Sequence, residues 1–365
     1  MNFEVKELSP EQLAQHPVLV VLLMGLAMLV MAFLVGAIVF WIWAALRLRR
    51  GIPVLTVQPW LPRVWGLADV AVAGVTMIFC QFMAVRIARD SWGLKAGDEL
   101  QHDQMPSLMA LLGLANLFWV VFAMLWIAAR HRGSLEQLGF GIKNARANTV
   151  IGLVAAVATL PLIHLLMLAV TQGTNTQYNH PLINMMMENA TVTAYLLGCF
   201  SAVLAAPLAE EFLFRVILQG WLQSIEFSRA HAFWIWGASE ELRASSVEVE
   251  PTLFPIENDQ VLPAAQGVPV DTNVNPFFVP RSSVVSTGNT ASLWPVFIAG
   301  TLFGLAHYGY GLSYIPLTFM GIVLGLLFRA TGSIIPSLIV HVTLNAFSMF
   351  ALGVSILYQQ AASAP

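Results

Sequence analysis

Apolar residues run almost without interruption from about 18 to 45, and Arg47, Arg49 and Arg50 end the run. The same pattern of a long apolar stretch closed by a short polar one recurs over roughly 64–85, 107–129, 149–171, 191–209, 293–308, 312–329 and 333–357. About 20 apolar residues suffice for a helix to cross the ~30 Å hydrocarbon core of a bilayer. The pattern therefore predicts about eight spans, the fifth continuing as helix through an acidic pair, Glu210-Glu211. Gly and Pro interrupt several runs, which a bundle tolerates because neighbouring helices re-satisfy the freed backbone groups. The expected fold is all-α, a polytopic transmembrane helical bundle. The first run, about Pro17 to Leu46, is too long for a signal-peptide core and is expected to remain as a membrane anchor.

One segment breaks the pattern. Residues 226–291 are rich in Pro, Ser, Asn, Val and acids, with Arg229, Arg243 and Arg281 set against eight carboxylates, and contain no spanning run. They read as a soluble cytoplasmic loop insertion, part of it disordered. Val247–Val249, Val268–Val270 and Phe277–Val279 are its expected extended pieces. His231 to Trp236, with Phe233 and Trp234 between, reads as an aromatic stretch at the membrane interface. The chain then divides into N-terminal transmembrane helices over 1–130, a core over 131–225 and 292–357, and the insertion. The stretch 130–143 is expected to form a short surface helix, with Ser134 as cap and Gln137 three residues on.

Composition strengthens the membrane reading. The chain is 58% hydrophobic and 10% charged, with a mean hydropathy of +0.73; soluble domains carry about 25% charged residues. A net charge of −3 gives no reason to expect a nucleic-acid partner. Cys80 and Cys199 lie in apolar runs and read as packing residues, not a disulfide. Arg47, Arg49, Arg50 and Arg63 fall between the first two spans, and Arg130, Arg132, Lys143 and Arg146 between the third and fourth. By the positive-inside rule both loops are cytoplasmic. Only Lys6, Arg86, Arg89 and Lys95 of the seventeen basic residues then lie outside. The protein is expected in the cell membrane as a multi-pass protein, with both termini outside the cytoplasm.

Charges at membrane depth are costly, about 2.5–3.5 kcal/mol each on insertion scales, and mark function. Glu210 and Glu211 are adjacent in an apolar helix, and Arg215 is four residues past Glu211, on its face. Glu210 lies about 100° away around that helix. One acid can thus be fixed by Arg while the other is free to act as a base. The bland alternative is that both acids only cross-link helices. Downstream, Phe303 precedes His307 by four residues, and His341 precedes Asn345 by four. A lone His or Asn on a membrane helix is most often inter-helix glue; here both occur with two acids. His341 and Asn345 could serve a metal or form an oxyanion hole without one. Asp69, Asn116 and His164 read as satisfied packing groups, and Met185-Met186-Met187 as packing or interface. No His-Glu-x-x-His, Gly-x-Ser-x-Gly or P-loop is present.

Glu210-Glu211-x-x-x-Arg215, Phe303-x-x-x-His307 and His341-x-x-x-Asn345, in that order on apolar helices, resemble the three motifs of the CAAX prenyl protease 2 family, also called CPBP or Abi proteins. The resemblance spans about 190–350, and Ser134 to Phe140 looks like the segment before the family core. The first two spans lie outside it. The link of 87 residues between Arg215 and Phe303 is longer than the family's, which the insertion explains. By this resemblance Glu210 activates water, His307 assists, His341 and Asn345 stabilise the oxyanion, and Glu211 with Arg215 hold the geometry. Zinc on Glu210, His307 and His341 and a metal-free glutamate mechanism both fit. The implied protein is an intramembrane endopeptidase acting on a membrane-associated peptide or protein. A non-catalytic immunity or scaffold protein of the same family is the alternative. A proton-coupled transporter is disfavoured because paired half-repeats are absent.

Overall fold

The computed structural model describes residues 8–55, 57, 63–95, 97–101, 103–131, 134–142, 144–174, 186–187, 191–225, 231–237 and 292–363. All of the regular structure among them is helical. In chain order the helices are α1 Pro10–Ala14, α2 Pro17–Arg49, α3 Leu67–Ser91, α4 Met105–His131, α5 Ala145–Thr174, α6 Val192–Ile225, α7 His231–Trp236, α8 Trp294–Leu305, α9 Tyr314–Thr331 and α10 Ile334–Ser363. Seven of these, α2 to α6 with α9 and α10, are long and apolar enough to cross a membrane. The protein is a polytopic helical bundle. The expected extended pieces in the insertion, together with Arg132, Lys143 and Met185, lie outside the described residues.

Side chains on α2 show why composition pointed to lipid. Val21, Met24, Met28, Val35, Ile38 and Ile42 are all exposed, and only Leu19, Ala37 and Ala44 are buried. A helix apolar all round with little buried area needs a non-aqueous surround. It is tied to the bundle through α5, where Trp41 Nε1 donates to Ala158 O at 3.0 Å. Asp69, Asn116 and His164, expected to be satisfied, each have partners. Asp69 meets His131 Nε2 (2.8 Å) and Trp126 Nε1 (3.1 Å), Asn116 Oδ1 accepts from Gln81 Nε2, and His164 Nδ1 meets Leu160 O (2.9 Å). Both cysteines are unpaired.

Two expectations are corrected. The sixth predicted span is only 12 residues of helix, Trp294–Leu305. At 1.5 Å per residue that is roughly 18 Å, short of a bilayer core. It ends because a tight 3-10 turn, Tyr308–Ser313, reverses the chain into α9. The two helices form a hairpin held at very close range. A Cβ on Gly300 would stand 2.7 Å from Ile322 N, and one on Gly321 would stand 2.6 Å from Gly300 O. Backbones that close exclude any side chain larger than hydrogen. The second correction is the surface helix over 130–143. Helix α4 ends at His131, and 134–139 is a single hydrogen-bonded turn. The reciprocal bonds expected of Ser134 and Gln137 do form, at 3.2 and 3.0 Å. Gly139 then takes φ of 82° and closes the turn before a second can start.

That turn marks one end of the bundle. The Arg63 guanidinium donates to Gln137 O and to Gly332 O (3.2 Å), while Arg63 N–H reaches Ser224 Oγ (3.2 Å). Ile334 N–H, at the start of α10, donates to Gly139 O at 3.0 Å. The loops after α2, α4 and α9 and the end of α6 therefore meet. At the other end, Leu8 N–H donates to Tyr358 Oη at 3.0 Å, which brings the two chain ends together.

Candidate functional site

Three of the motif residues lie on α6, whose winding changes along its length. Two π-helical stretches, Phe200–Ala205 and Phe212–Gln219, bracket the α-helical turn Ala206–Glu211 that carries both acids. Such widened turns are rare and tend to occur at functional sites. The first has a cause in the sequence. Pro207 has no N–H to give, and Ala206 N–H reaches back five residues to Ser201 O. Ala202 O is left without its helical donor, and Asn345 Nδ2 supplies one across the helix interface at 2.7 Å. In the second stretch Gly220 N–H reaches back five to Arg215 O. Wider winding brings every fourth residue, Glu211, Arg215 and Gln219, closer to a single line.

The acidic pair divides its work by position. Glu211 and Arg215 are fully buried, and Arg215 Nε donates to Glu211 Oε2 at 3.2 Å. The other oxygen, Glu211 Oε1, lies 3.1 Å from His341 Nδ1. A carboxylate only accepts, so His341 carries its hydrogen on Nδ1 and turns Nε2 away. Glu210 is the open member of the pair, its side chain 24% exposed. Its Oε2 lies 3.7 Å from His341 Nε2 and 4.0 Å from His307 Nε2. His307 is anchored in the same way, with Nδ1 2.9 Å from Phe303 O. Both imidazoles thus present Nε2 to one carboxylate oxygen, each held from behind through Nδ1.

Phe303 is the hub on which these groups pack. It is fully buried, its ring centre 5.2 Å from the His307 ring, 5.6 Å from the His341 ring and 5.1 Å from Arg215 Cζ. Its face offers the guanidinium a cation–π contact in a site that bulk water does not reach. The structure brings Glu210, Glu211, Arg215, His307 and His341 together. It places Asn345 one turn beyond His341 with one amide hydrogen committed to Ala202 O.

By type, two imidazole nitrogens and a carboxylate suit zinc, and imidazoles anchored through Nδ1 are common among metal ligands. Among the described residues, however, no group of three or more His, Cys, Asp or Glu is gathered closely enough to hold a metal ion. Two more polar residues on α6 lie outside the three motifs. Gln219 and Gln223, both fully or almost fully buried, continue the four-residue spacing of Glu211 and Arg215. That spacing of polar residues inside an apolar run was the available signal.

The search of curated proteins and that of solved structures both return no match. Residues 278–347, which hold Phe303, His307, His341 and Asn345 but not Glu210, Glu211 or Arg215, match the family model described as Type II CAAX prenyl endopeptidase Rce1-like, the family that the three motifs resemble.

Proposed function

We propose that the protein is an intramembrane endopeptidase that hydrolyses a membrane-associated peptide or protein. The observation that carries this reading is the half-open Glu210, faced by two Nε2 atoms at 3.7 and 4.0 Å and backed by a sealed Glu211–Arg215 pair. Separations of this size exceed direct hydrogen bonds and suit a bridge through one water. Glu210 takes a proton from that water, and the oxygen attacks the scissile carbonyl carbon. His307 orients the water. Of His341 and Asn345, only Asn345 has a hydrogen to offer the developing oxyanion, its second amide hydrogen; His341 Nε2, with the ring hydrogen on Nδ1, can only accept. Glu210 then returns its proton to the leaving amine, and the C–N bond breaks. Glu211 and Arg215 take no proton in this sequence; they fix the His341 ring. Glu210, His307 and His341 are zinc-ligand types but as placed do not gather closely enough to hold the ion, and the steps above use only the protein's own groups.

The non-catalytic reading, an immunity or scaffold protein, draws on one observation: Asn345 already serves Ala202 O as a structural donor. Glu210→Gln separates the two readings. It keeps the shape and removes the base, and on a membrane-embedded peptide it is expected to lower the rate about 10²–10⁴-fold. Unchanged hydrolysis by a folded Glu210→Gln protein would sink the protease reading.

A further inference from the structure

We propose that the face of α6 carrying Arg215, Gln219 and Gln223 holds a file of bound water that reaches the Glu210 site from the basic end of the bundle. The three residues follow Glu211 at four-residue steps, and their exposures are 0%, 0% and 1%. Their polar atoms are incompletely matched. Arg215 uses Nε on Glu211, while Nη1 and Nη2 have no hydrogen-bond partner. Gln219 Nε2 donates to Gly325 O at 2.9 Å, while Oε1 has none. Gln223 has none on either Oε1 or Nε2. Five unmatched atoms on one face of one helix are unusual, because buried polar groups are nearly always satisfied by protein or by ordered water.

The chemistry of the face suits water better than an ion. It offers donors at Arg215, an acceptor at Gln219 and both kinds at Gln223, and water can use both kinds. A buried water generally needs two to four such partners. The position also fits. Gln223 adjoins Ser224, whose hydroxyl accepts from Arg63 N–H where the basic loops meet. Arg215 adjoins Glu211 and the Phe303 hub. Of the two acids, only Glu210 has an open side, and a bound peptide must occupy it. Water entering behind the substrate, along α6, then has its own route to the reacting carbonyl. That role rests on the proposed hydrolysis; the waters themselves do not.

The direct test is an experimental structure of the full chain in lipid, at a resolution that shows ordered water. Water is expected within hydrogen-bond distance of Arg215 Nη1 or Nη2, Gln219 Oε1 and the Gln223 amide. If those atoms are dry, or bonded only to protein, the proposal is overturned. The functional arm uses Gln219→Met and Gln223→Met with the peptide assay. The proposal expects kcat to fall about tenfold or more with KM nearly unchanged, because the substrate side is untouched. Ordered water beside an inactive wild-type protein upholds the file and removes the protease reading. Full kcat in both variants, with the water lost from their structures, overturns the supply role.

Discussion

Glu211 and Arg215 show how far one residue's position can decide its chemistry. Adjacent acids in an apolar helix look equivalent in sequence. A rotation of about 100° puts one against Arg215 and His341 and leaves the other 24% exposed. Arg215→Ala strands the Glu211 carboxylate in a fully buried setting, and breaking such a pair costs about 3–5 kcal/mol. The expected result is a strongly lowered Tm in detergent, or loss of folded protein; a normal Tm would mean Glu211 finds another partner. Asn345→Ala tests a residue with two jobs. Removing the donor to Ala202 O costs about 1–3 kcal/mol, and losing an oxyanion donor slows hydrolysis about 10²–10³-fold. Lower Tm together with slower cleavage is expected, and an unchanged Tm would show that Ala202 O does not depend on Asn345. The pairing of Glu211 with Arg215 was legible from their four-residue spacing. The commitment of Asn345 was not, because it depends on a carbonyl freed by Pro207, more than a hundred residues earlier in the chain.

At the scale of elements, apolar runs predicted most of the helices because a membrane helix must be apolar along its whole length. Where the reading failed, local backbone geometry was responsible. The run 293–308 is apolar enough to pass for a span, but the turn Tyr308–Ser313 halts it after 12 helical residues. Hydropathy carries no sign of such a turn. The segment after α4 has the Ser134 and Gln137 of a helix start, yet Gly139 closes it at one turn. The π stretches of α6 were equally invisible, although Pro207 marks where the first one ends. The α8–α9 hairpin yields a sharp prediction. Gly300→Val forces a side chain to within 2.7 Å of Ile322 N, whereas at Gly25 a Cβ meets nothing within 4 Å. Overpacking costs about 1–3 kcal/mol and more against rigid backbone. Gly300→Val should lower Tm and cleavage together, because the last turn of α8 carries Phe303, the hub beneath both imidazoles. Gly25→Val should change neither, and equal effects at the two sites would contradict the close packing described.

For the whole molecule, the short α8 does not upset the grouping of loops read from charge. Arg63, Gln137 and Gly332 meet at one end, and Leu8 meets Tyr358 at the other. Burial lowers the Arg63 pKa to about 9, so its clamp stays charged at neutral pH. We expect the basic end to face the cytoplasm and both termini to lie outside. Protease protection of a chain tagged at both termini checks this, and tags on opposite faces would contradict the Leu8–Tyr358 contact. Of the site, the identities and spacing of Glu210, Glu211, Arg215, His307 and His341 were legible in sequence; their meeting was only inferable, since it depends on α6, α8 and α10 packing around Phe303. The insertion lies almost wholly outside the described residues and holds none of these groups, so deleting 240–285 should spare cleavage of a short peptide. The most direct measurement for the central claim is the hydrolysis rate of one membrane-embedded peptide by the wild-type protein and by Glu210→Gln, both shown to be folded by their melting curves. The account predicts measurable cleavage by the first and a loss of at least about 10² in the second. Equal rates, or no cleavage of any membrane-embedded peptide by the wild type, would contradict it.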